Sequence, residues 1–89
     1  MPPRRKVKAR TPELAALGEA IRQIRVKADL TQEQVADHAD TEFTRIGDLE
    51  RGAGNPSYTS LLRVARALDT KVGTLTTLAD QIYSQRRSG

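Results

Sequence analysis

The chain has 89 residues, with 15 Lys and Arg against 11 Asp and Glu, one His and no cysteine. That length holds one small domain, and the missing cysteines exclude disulfides and thiolate metal sites, as suits a reducing cytosol. No apolar run approaches a membrane span or a signal h-region, so a soluble, cytoplasmic protein is expected. With one Phe, two Tyr and no Trp, the core must be built from Leu, Ile, Val and Ala. A core that small is marginal, and dimerisation would help it.

Residues 1–11 open the chain with Arg4, Arg5, Lys6, Lys8 and Arg10, two prolines and no acid. Without apolar periodicity this stretch is expected to be a disordered basic arm, suited to phosphates or a minor groove. A solubilising tail is the plainer reading of the same residues. The domain proper is expected over 12–80 and a frayed tail over 81–89, where Arg86 and Arg87 fall.

A first helix begins cleanly. Thr11 can cap it, Pro12 suits the first helical position, and Glu13 complements the positive end of the dipole. Leu14, Leu17, Ile21, Ile24 and Ala28 follow at steps of three and four, one buried stripe. Thr31 and Gln34 then form a T-x-x-Q capping box for a second helix with Val35, Ala36 and Ala39 on its apolar face. Asp40 tolerates the left-handed turn that breaks the pattern. Glu42 or Thr41 is expected to cap a third helix, Phe43 to Arg51, with Ile46 and Leu49 inward and Gly52 as its left-handed stop. Two short helices across a tight turn make a helix-turn-helix.

Ala53 to Pro56 reads as a loop, and Ser57 as the N-cap of a fourth helix. There Leu61, Leu62, Ala65 and Leu68 are expected in the core, Val64 at its edge, and Arg63 and Arg66 in water. A fifth helix is expected near Val72 to Asp80. Its stripe of Val72, Leu75, Leu78, Ala79 and Ile82 exceeds what a fourth helix can cover, leaving Leu78, Ile82 and Tyr83 for a twofold contact. The fold expected is all-α, a compact five-helix domain.

The stretch Leu30 to Ala36, Ile46 with Leu49 to Gly52, Asn55 to Ser57 and Leu61 to Leu68 resemble the XRE family, the Cro and phage-repressor-like helix-turn-helix proteins. The likeness runs from about Leu17 to Leu78. It implies a sequence-specific transcriptional regulator bound to double-stranded DNA, repressor-like and homodimeric. In that reading the third helix lies in the major groove, where Phe43, Thr44, Gly47 and Asp48 contact bases. Phe43 has a competing reading as mere packing at the helix start. Arg22, Thr31, Gln32, Arg45, Arg51 and Asn55 contact phosphates, joined by Arg4, Arg5 and Lys6 of the arm. Arg25 and Glu50 resemble a structural ion pair.

One feature departs from the family's pattern. Between Asp29 and Glu50 stand Asp29, Glu33, Asp37, Asp40, Glu42, Asp48 and Glu50, seven acids against the single base Arg45. Such a face could instead dock a basic protein partner, as an antitoxin or anti-activator would. Neither metal nor cofactor is expected, because His38 has no companion ligand. Ser57, Thr59 and Ser60 have no partner base, so no catalytic constellation fits this length.

Overall fold

The computed structural model describes residues 10–88. Arg4, Arg5, Lys6 and Lys8 of the basic arm lie outside the described residues. Five helices follow one another: α1 Pro12–Lys27, α2 Gln32–His38, α3 Phe43–Glu50, α4 Tyr58–Ala67 and α5 Val72–Ser88. Among the described residues there is no strand, and no helix is long and apolar enough to cross a membrane.

Three helix starts follow the expected chemistry. The Leu14 amide donates to Thr11 Oγ1 at 3.1 Å, and the Ser60 amide donates to Ser57 Oγ at 3.1 Å. Both bonds of the Thr31–Gln34 capping box are present, at 2.9 and 3.0 Å. The start of α3 is different. Glu42 occupies its N-cap position but makes no side-chain cap bond, so the expected cap on the third helix is absent.

Four helices end on a left-handed residue: Asp29, Asp40, Gly52 and Asp69, with φ of 59°, 53°, 73° and 55°. Each carries the paired bonds of a Schellman stop. The left-handed amide donates back to the third residue before it, and the next amide reaches the last turn, as in Leu30 N to Arg25 O and Thr70 N to Ala65 O. Asp40 and Gly52 were legible as turn residues in the sequence; Asp29 and Asp69 perform the same task.

The helices close a ring in which α1 touches α5 and α3, α2 touches α3 and α4, and α4 meets α5. Ile21, Val35, Ile46 and Leu75 are the largest fully buried side chains, one each from α1, α2, α3 and α5. α4 closes the core with Leu61, Val64, Ala65 and Leu68. Val64 is therefore core, while Leu62 is only half-buried, the reverse of the expected order. α4 is flanked by α2 and α5, and the spacing 61, 64, 65, 68 faces both.

On α1 the fully buried residues are Ala16, Gly18, Ala20 and Ile21. Leu14, Leu17 and Ile24 are half-buried and Ala28 is exposed. The single stripe expected there is too narrow, because neighbours on two sides bury the small face as well. α5 also departs from expectation, running to Ser88 rather than stopping near Asp80. The extra turns are held by Ile82, which is 7% exposed, and by Arg87 Nη1 donating to the Tyr83 hydroxyl at 3.0 Å. Residues 81–88 are helix, not a frayed tail. With Ile82 inside the monomer core, it is not available for the twofold contact expected of it.

Candidate nucleic-acid interface

The site is α3 and what holds it. Ile46 and Leu49 anchor its inner face, at 0% and 5% exposure. Behind them a polar clamp ties three elements together. Arg25 Nε donates to Glu50 Oε2 at 2.5 Å and Arg25 Nη2 to Glu50 Oε1 at 3.0 Å, a bidentate pair joining α1 to α3. Arg25 Nη1 also donates to the Leu30 carbonyl at 2.9 Å, and Gln32 Nε2 to Glu50 Oε1 at 2.9 Å. The hydrogen bond to Glu50 raises the Arg25 pKa above its ordinary value, against the opposing pull of desolvation. The guanidinium stays charged at any physiological pH. The expected ion pair is present, with the α2 start drawn into it through Gln32.

With its back held this way, α3 turns Phe43, Thr44 and Arg45 to solvent. Phe43 is 51% exposed, so packing at the helix start accounts for only part of the ring. Gly47 is buried, and what covers it is the Arg51 side chain: a Cβ at Gly47 would lie 3.1 Å from Arg51 Nη1. The same guanidinium pairs with Asp48, Arg51 Nη2 to Asp48 Oδ1, at 2.5 Å. The bare backbone at Gly47 is thus not presented to solvent as the helical wheel alone implied. The Gly47–Asp48–Arg51 arrangement was not read from the sequence, although Asp and Arg three apart on a helix are neighbours.

The residues expected on phosphates are placed unevenly. Thr31 and Asn55 are exposed, Thr31 with its hydroxyl accepting the capping bond. The Gln32 side chain is committed to Glu50. Arg22 is exposed beside Glu19, 3.4 Å away. Arg45 lines a hollow with Asp40, Thr41 and Glu42, and a second, smaller one with Ser60 and Arg63 of α4. It flanks the face that carries Thr44. Arg10, the root of the arm, lies against Gly52: its Nε is 3.2 Å from where a Cβ on that glycine would stand. Arg10 therefore lies at the C-terminal end of α3.

The seven acids now divide. Asp29 and Asp40 terminate helices, Glu50 is bound by Arg25 and Gln32, and Asp48 is bound by Arg51. Glu33, Asp37 and Glu42 are exposed. Local structure explains four of the seven without a partner protein. Among the described residues no group of three His, Cys, Asp or Glu side chains is placed to hold a metal ion.

Residues 21–75 match the helix-turn-helix family model, a span that takes in α2 to α4 with parts of α1 and α5. The chain belongs to this helix-turn-helix family and is of its XRE-like class. Control protein C.BamHI of Bacillus amyloliquefaciens is 38% identical over 52 residues, 57% of this chain and 64% of that protein. The immunity repressor protein of Bacillus phage phi105 is 37% identical over 59 residues, 66% of this chain and 41% of the repressor. The chain thus spans less than two thirds of the length of either curated relative. Among solved structures, the restriction-modification controller protein C.AhdI of Aeromonas hydrophila superposes with a TM-score of 0.72 at 31% identity, over 73% of this chain and 98% of that one. The clp gene regulator ClgR of Corynebacterium glutamicum superposes with a TM-score of 0.74 at 28% identity, over 78% of this chain and 90% of that chain.

Proposed function

We propose that this chain is a sequence-specific DNA-binding transcriptional regulator, a repressor-like homodimer that reads an inverted repeat through the major groove. The observation that carries the proposal is the state of α3. Its inner face is anchored by Ile46, Leu49 and the Arg25–Glu50 clamp, while Phe43, Thr44 and Arg45 stand in solvent. A helix held rigidly from behind, with polar and apolar groups outward, can present them to base edges at low entropic cost. Thr44 can hydrogen-bond a base or meet a thymine methyl, and Phe43 can meet a second methyl. Arg22, Thr31, Arg45 and Asn55 take phosphates along the flanks, and the basic arm, rooted at Arg10 beside Gly52, adds sequence-independent attraction. The relatives named for control and for immunity repression support the regulatory half of the reading.

Leu78 and Tyr83 of α5 are only half-buried and are the surface offered to a second copy; reading two half-sites then requires the two α3 helices to stand about 34 Å apart, one DNA turn. Docking of a basic protein through the acidic face is the weaker reading, since helix ends and ion pairs account for Asp29, Asp40, Asp48 and Glu50. Binding-site selection from random duplexes decides between them. The regulator reading expects a short inverted repeat; no enriched motif at low salt, with a basic protein co-purifying through Glu33, Asp37 and Glu42, would overturn it.

A further inference from the structure

Arg51 closes α3, and its side chain runs back along the helix rather than onward to the loop. Helical Cα–Cβ bonds tilt toward the N-terminus, so a residue at the last turn covers the turn before it. Here that turn holds Gly47, whose lack of a side chain lets the guanidinium lie across the backbone. Nη1 is 3.1 Å from the missing Cβ position, and Nη2 donates to Asp48 Oδ1 at 2.5 Å. At about 3.6 residues per turn, Arg51 projects roughly 20° from Thr44 around the axis and Asp48 roughly 40°. Arg51 is therefore at the centre of the outward face, opposite Ile46 and Leu49, and not on its flank. Its side chain is 66% exposed and that of Asp48 is 27% exposed. The outermost group at this turn is a planar fork of donors with a carboxylate tucked beneath it.

We infer that Arg51 reads a guanine in each half-site and that Asp48 is its positioning residue, an inference that rests on the DNA-binding reading above. Guanine presents O6 and N7 as paired acceptors in the major groove, the pattern an arginine fork matches. Five N–H donors let the guanidinium keep its bond to Asp48 and still make both bonds to the base. A phosphate would bring a second anion against the Asp48 carboxylate, whereas the guanine edge is uncharged. Asp48 also removes rotamer freedom from Arg51 before DNA arrives, so less is lost on binding. The Asp48 carboxylate thus acts through Arg51 rather than contacting a base itself. Gly47 belongs to the same device, as the space in which the guanidinium lies.

The test is binding-site selection on the wild-type protein, Arg51→Ala, Arg51→Lys, Asp48→Asn and the Arg51→Ala/Asp48→Asn double variant, with thermal melts showing each folded. The wild-type motif is expected to contain one G·C pair per half-site whose replacement weakens binding roughly 5- to 150-fold. Arg51→Ala and Asp48→Asn should become indifferent at that same pair, and the double variant should lose no more discrimination than Arg51→Ala. Arg51→Lys keeps the charge and the salt dependence but should weaken the preference, because an ammonium lacks the rigid fork that holds Asp48 and the base edge at once. The inference is overturned if Arg51→Ala weakens all sequences alike, keeps the wild-type motif, and lowers the salt slope by about one, the signature of a phosphate contact. An unchanged motif in Asp48→Asn removes its positioning role. A wild-type selection without any motif defeats the regulator reading itself, and this one with it.

Discussion

Gly18 of α1 faces the carbonyl of Leu49 at the end of α3 backbone to backbone. A Cβ at Gly18 would stand 2.6 Å from the Glu50 carbonyl oxygen and nearer still to that of Leu49. Neither atom can swing aside, because both belong to the main chain of the helix that carries the site. Gly18→Ala is therefore expected to destabilise the fold by about 1–3 kcal/mol or more through overpacking, even though alanine favours a helix by ~1 kcal/mol over glycine. Gly73 is the control. Nothing lies within 4 Å of its Cβ position, and Gly73→Ala should raise stability by about 0.4–1 kcal/mol. Denaturant melts of the two variants should move in opposite directions.

Arg25 and Glu50 are 15% and 5% exposed, deep enough that removing one strands the other's charge. Arg25→Ala should cost roughly 3–5 kcal/mol, some 4–8 °C in Tm per kcal/mol for a domain this size. Replacing both partners, as Arg25→Met with Glu50→Leu, should lie closer to wild type than either single variant, since no buried charge is left alone. The raised Arg25 pKa gives a sign for the alkaline side. A base with an elevated folded pKa contributes fully below its unfolded value and loses that contribution only as pH rises through the folded one. Both values lie far above neutrality, so the Tm gap between wild type and Arg25→Ala should stay constant from neutral pH to about pH 9.

Asp69 sits at φ 55° at the end of α4. For a β-branched residue that conformation is an outlier, and Asp69→Val should cost about 1–2 kcal/mol. Asp69→Gly should be close to neutral, because the relief of steric strain is offset by ~0.5–1 kcal/mol of lost glycine freedom. Asp40→Val and Asp40→Gly should repeat the pattern by thermal melting. Equal effects of valine and glycine would mean that these aspartates act through their charge and not through the backbone.

Deleting residues 1–10 should weaken binding to specific and random duplexes alike and flatten the salt dependence. Thr44→Ala should instead shift which base is preferred, by about 1–3 kcal/mol. Fluorescence titrations on a selected site and a scrambled one, over a range of salt, separate the two. Loss of sequence preference on removing the arm would show that it reads bases after all.

For the proposed dimer, light scattering at micromolar concentration should return twice the chain mass, and Leu78→Asp should return the monomer. Ile82→Asp is expected to unfold the domain, because Ile82 is 7% exposed within one chain.

Local signals were the legible ones. Thr11, Thr31 and Ser57 announce helix starts, Asp40 and Gly52 announce turns, and Ile46 and Leu49 announce the inner face of α3, because capping and periodicity involve residues within a turn of one another. The all-α class, the helix-turn-helix and the positions of its inward residues thus follow from the amino-acid order. What tertiary structure decided is how the surfaces are used. The wheel cannot show that a guanidinium covers Gly47, that Val64 outranks Leu62, or that Ile82 is inside the monomer, since each depends on which helix lies across it. That α3 lies against Gly18 of α1 is revealed by the packing alone. Helix identity is set by bonds within a segment, whereas the outward face of a helix is whatever its neighbours and its own long side chains leave uncovered.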